Sequence, residues 1–98
     1  MIKSYVNTAG TAGAQIESVS GNLVRVAITK AGSADAAVDL YDNTSGDNSG
    51  GHMWSGGGAI TGSWDCGGGD GSGTPFTKGL SIVISGTTKP SVVVHWQE

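Results

Sequence analysis

The chain has 98 residues, a formal charge of −3 at pH 7, and charged side chains at only 13% of positions. A chain of this length builds one modest core and buries roughly 60 to 65% of its unfolded surface, so a single domain over 1–98 is expected and an enzyme with a deep cleft is not. The basic residues Lys3, Arg25, Lys30, Lys78 and Lys89 are scattered, which argues against nucleic acid as a partner, and the lone Cys66 excludes a disulfide scaffold within one chain.

The opening residues Met1-Ile2-Lys3-Ser4-Tyr5-Val6 lack the apolar run of a secretory signal, and no stretch approaches the roughly 18 apolar residues of a membrane span. A soluble product made in the cytoplasm, with no membrane partner, is expected. Ile2 to Val6 and Gln15 to Val19 are short strand candidates. A helical stripe is confined to Ala12 to Val19 and carries Gly13 inside it, so a long helix is not expected.

Residues 22–29 place Val24, Val26 and Ile28 on one face with Arg25 and Thr29 on the other, the period of a half-buried strand. Ala37 to Asp42 alternates Val38 and Leu40 with Asp39 and Tyr41. Further on, Leu80, Ile82 and Ile84 alternate with Ser81 and Ser85, and Val92, Val94 and Trp96 alternate with Ser91, His95 and Gln97. Pro90 is suited to open that last strand, and His95 reads as an edge or interface side chain. Turn sequences such as Ser20-Gly21-Asn22, Ala31-Gly32-Ser33, Asn43-Thr44-Ser45-Gly46 and Ser85-Gly86-Thr87 separate these runs. Their spacing predicts an all-β domain, a small antiparallel β-sandwich or jelly roll.

Twelve of the 18 glycines fall in residues 46–73. Ordering backbone costs about 1 to 2 kcal/mol per residue, and more for glycine, so 46–75 is expected to be a long Gly-rich loop or hairpin held by the rest of the domain or by a partner. Trp54 and Trp64 lie in it, outside the clearest strands. Two roles are open to them: capping the end of the sandwich, or anchoring a protein interface, where tryptophans carry a large share of the energy.

The run Cys66-Gly67-Gly68-Gly69-Asp70-Gly71-Ser72-Gly73 has neither the Gly-Lys-Ser/Thr ending nor the helix of a phosphate loop, and it reads as a flexible hairpin loop. Asp42-Asn43-Thr44-Ser45-Gly46-Asp47-Asn48 lacks the acidic spacing and terminal Glu of a calcium loop. His52, His95 and Cys66 show no paired metal-ligand spacing, and no acid, base and oxyanion set assembles around Cys66. Neither a metal, a cofactor nor catalysis is expected.

Gly21-Asn22-Leu23-Val24-Arg25-Val26-Ala27-Ile28, Lys30-Ala31-Gly32 and Val38-Asp39-Leu40-Tyr41-Asp42-Asn43-Thr44-Ser45 resemble small β-sandwich structural proteins of tailed bacteriophages. Phe76 to Thr87 and Ser91 to Glu98 resemble that group's closing hairpin. The resemblance covers most of the chain outside 46–75. It implies a head decoration or cement protein on the outer capsid surface, with the major capsid protein and copies of itself, as homotrimer or homodimer, for partners. Contacts are then expected from Ile2, Tyr5, Tyr41, Asn43, Trp54, Trp64, Asp65, Cys66 and Phe76. The rival expectation is a carbohydrate-binding module on a head fibre or tail, with Trp54, Trp64 or Tyr41 as a platform for host glycans.

Overall fold

A computed structural model describes residues 2–7, 13–66 and 73–97. Among the described residues nine strands run in chain order: β1 (Ile2–Asn7), β2 (Gly13–Glu17), β3 (Gly21–Lys30), β4 (Ala37–Tyr41), β5 (His52–Gly57), β6 (Gly62–Asp65), β7 (Thr74–Phe76), β8 (Leu80–Ser85) and β9 (Ser91–Gln97). No helix occurs among the described residues.

The strands form two antiparallel sheets. One has the order β1-β9-β3-β6, with β7 also on β3; the other has the order β2-β8-β4-β5. Within β3, residues 25–28 pair with β6 and residues 21–23 with β7, so β6 and β7 lie end to end as one interrupted edge strand. Counted as one, they give eight strands that pass between two four-stranded sheets, the connectivity of a jelly roll.

The core is the inner row of each sheet: Leu23, Val26 and Ile28 from β3, Val38 and Leu40 from β4, Phe76 from β7, Leu80, Ile82 and Ile84 from β8, and Val92, Val94 and Trp96 from β9. Branched side chains suit the pleated surface, and each full burial contributes about 1.5 to 3 kcal/mol. The strands read from alternation in 80–85 and 91–97 keep their phase. In β3 the phase changes: the pairing with β9 slips between Leu23 and Arg25, a bulge that turns Leu23 inward and leaves Val24 half-buried.

Three expectations are corrected. The Gly-rich segment is not one loop, since β5, β6 and most of β7 lie within 46–75; its glycine-rich strands are supported by ladders to β4 and β3. β8 and β9 belong to different sheets, so the end of the chain is no hairpin. His95 lies on β9, between β1 and β3, and is therefore on a central strand rather than an edge.

Carboxylates tie down the two ends of the sandwich. Asp42, just after β4, accepts hydrogen bonds from the backbone N–H groups of Thr77, Lys78 and Gly79 at 3.0, 2.8 and 3.3 Å. Partial burial acts to raise its pKa, but those donors and the Thr77 hydroxyl outweigh it and hold the pKa below the ordinary value. At the opposite end Asp35 accepts from the hydroxyl of Ser33 and from the backbone N–H and hydroxyl of Thr87, which lower its pKa to about 2.

Candidate interaction site

The sandwich has two lateral sides, where the gap between the sheets opens at their edge strands, and the two are closed by different chemistry. On the β1/β2 side, Glu17 of one sheet takes an ion pair from Lys3 of the other at 3.3 Å and a hydrogen bond from the Trp96 indole at 3.4 Å. The backbone N–H of Ser18, then these two partners, keep the Glu17 pKa below its ordinary value despite some burial. That seam is polar.

On the β5/β6 side the closure is aromatic. Trp54 stands opposite Leu40, and Trp64 stands opposite Val26; directly opposed residues share a face of the sheet, so both indoles point into the gap. Their ring centroids are 6.0 Å apart, with the planes inclined by 50°, a tilted pairing that aromatic rings favour. Both rings pack on the core yet stay partly exposed.

Glycine makes this arrangement possible. A Cβ on Gly56 would collide with the far edge of the Trp54 ring, and one on Gly62 would come within 3.0 Å of the Trp64 ring. Each indole therefore lies along its own strand over a bare backbone, toward the connection 58–61. That connection carries Ala59 and Ile60 outward, Ile60 being 67% exposed. Together Trp54, Trp64, Gly56, Ala59 and Ile60 line an open, mainly apolar cleft of about 400 Å³.

No family model, curated protein or solved structure matches this chain. The site is therefore read from its own chemistry.

The other expected residues are dispersed. Ile2 is 52% exposed on the β1 edge, on the far side of the fold from the cleft. Tyr5 packs against the core. Tyr41 lies on the outer face of its sheet with its ring centroid 5.0 Å from that of His52, which in turn pairs with Asp39 at 3.0 Å. Asp65 is exposed and pairs with Arg25 at 3.0 Å. Two residues expected at an interface are internal. Phe76 is 1% exposed and belongs to the core; Asn43 is buried, donating to the carbonyls of Asp47 and Gly50 and accepting from the N–H of Ser45, and so shapes its own loop.

Cys66 follows β6, half-buried against the core, with its N–H bonded to the Val24 carbonyl and its own carbonyl accepting from the Thr74 hydroxyl. Burial, with the Asp65 charge beside it, pushes the thiol pKa above its ordinary value. An activated nucleophile requires the opposite shift. No cluster of three or more His, Cys, Asp or Glu side chains occurs among the described residues.

Sequence reasoning singled out both tryptophans but passed over Gly56, Ile60 and Gly62. The signal was present as a mirrored pattern, Trp54-Ser55-Gly56 and Gly62-Ser63-Trp64, flanking the connection. At each end it sets an indole two residues from a glycine on the same strand face.

Proposed function

We propose that the protein is a non-catalytic docking module, and specifically a decoration protein on the outside of a bacteriophage head. In this role it joins neighbouring capsomers of the major capsid protein by non-covalent contacts, after synthesis in the host cytoplasm. The observation that carries the docking part is the apolar Trp54/Trp64 cleft with exposed Ile60 beside it. Exposed apolar patches on small soluble domains mark interaction sites, and tryptophans in such patches are frequent energetic anchors. The cleft side of the sandwich is the working surface, buried against protein in the assembly.

The capsid role draws its support from the resemblance of residues 21–45 and 76–98 to small phage structural proteins. A jelly roll suits it but serves unrelated functions equally well. Sugar binding is the weaker reading of the cleft, because its lining offers few polar groups to satisfy hydroxyls.

The test mixes purified protein with assembled empty heads and, separately, with a glycan panel. Co-sedimentation with the heads and a higher temperature of head rupture are expected. Glycan binding without head binding overturns the decoration role.

A further inference from the structure

We infer that the occupant of the Trp54/Trp64 cleft is the Ile60 side chain of a second copy of this chain, exchanged reciprocally across a two-fold axis. The inference rests on the reading of this cleft as a protein-docking site, and it names the partner.

A two-fold contact must be self-complementary: whatever fills the cleft has to come from the same patch of the other copy. This patch contains both halves of such a contact. The cleft is apolar, and Ile60 at its rim is the most exposed of the large hydrophobic side chains among the described residues. The connection that carries Ile60 is only four residues long and is tied at its start, where the Gly58 N–H bonds to the Ala36 carbonyl at 2.8 Å, so the knob is held in place.

Charge favours the same partner. From Met53 to Trp64 there is no charged side chain, so two copies of a chain with net charge −3 meet there without opposing like charges. On the strands beside the cleft, Asp65 forms an ion pair with Arg25 at 3.0 Å, and Asp39 lies 3.0 Å from the His52 ring nitrogen.

Strand edges point the same way. Soluble proteins blunt their free edges with charge, proline or bulges. β1 carries Lys3, β2 has a register slip and Glu17, and β7 has Pro75. Over 53–57 and 62–64, β5 and β6 have neither charge nor proline. The cleft lies on this uncharged stretch, which is flanked by the β5 register slip opposite Leu40 and Tyr41 and by Asp65 at the end of β6. A copy seated there covers this stretch and leaves the β1 face, with exposed Ile2 and Val6, free for other contacts.

The experiment is sedimentation velocity over a dilution series of the wild-type chain, of Ile60→Asp, and of Val6→Asp as a control on the opposite side. Each variant is first checked by circular dichroism and thermal melting, since exposed positions should leave the fold intact. The wild type and Val6→Asp are expected to pass from monomer to dimer with concentration. Ile60→Asp should associate about a hundredfold more weakly, because a carboxylate would have to be buried in an apolar cleft. A wild-type chain that stays monomeric throughout, or an Ile60→Asp chain that dimerises as well as wild type, overturns the inference. A monomeric wild type whose residues 52–65 become protected only on addition of heads overturns the second-copy partner while the docking site stands; absence of protection in both settings removes the site as well.

Discussion

Trp54 and Trp64 reach toward each other from different sheets, with ring centroids 6.0 Å apart. They are thus a clasp across the sandwich as well as the wall of a cleft. Because each ring also packs on the core, Trp54→Ala and Trp64→Ala should each lower stability, by about 2 to 3 kcal/mol for a partly buried ring. The double variant should lose less than the sum, by about 0.5 to 1.5 kcal/mol, as expected for a tilted aromatic pair. Denaturant titration of the four proteins measures this, and strictly additive losses would show that the rings do not support each other.

The bare backbone beneath each ring can be tested separately. Gly56→Ala should push Trp54 outward and cost about 1 to 2 kcal/mol, the usual range for mild overpacking; Gly62→Ala, where the contact is 3.0 Å, should cost less. Acrylamide quenching of tryptophan emission reports the displacement, since Trp96 is buried and contributes little. Quenching unchanged from wild type in Gly56→Ala would mean that the ring does not rest on that glycine.

Acid should loosen both ends of the sandwich. Asp35 and Asp42 have folded-state pKa values below their unfolded values. The stability they contribute is therefore complete above about pH 4, the unfolded carboxylate range, and is lost as pH falls through the folded values, which for Asp35 means about 2. Stability measured between pH 5 and pH 2 should fall across that window. Asp42→Asn, which leaves three backbone N–H groups poorly capped, should be less stable at neutral pH by about 1 to 2 kcal/mol and lose less on acidification. A pH dependence as steep as wild type in that variant would contradict the assignment.

Cys66 should behave as an inert thiol. Burial and the neighbouring Asp65 charge disfavour its thiolate, so labelling by a disulfide reagent at pH 7 should be far slower than for a free cysteine and should accelerate in denaturant. Fast labelling of the folded chain at neutral pH would contradict this.

Alternation revealed β8 and β9 because each has one row of branched apolar residues facing the core and a more polar row opposite. The same logic misplaced Val24, since a bulge between Leu23 and Arg25 shifts the phase by one residue, and periodicity carries no mark of such an insertion. β5 and β6 read as loop because their glycines have low strand propensity; their pairing to β4 and β3, together with the indoles laid over Gly56 and Gly62, compensates. At the site, residue type pointed to both tryptophans, yet it also pointed to Phe76 and Asn43, which the fold places inside. Ile60 gave no signal alone, because single exposed aliphatic residues are common on protein surfaces. Only the cleft beside it gives it meaning.

The most direct test of docking through this edge is hydrogen exchange by mass spectrometry, comparing the dilute free chain with the chain bound to assembled heads. Added protection concentrated in residues 52–65, with the central strands β3 and β9 unchanged, is the expected result. Residues 52–65 exchanging as fast on the heads as in the dilute chain, with protection elsewhere, would contradict it.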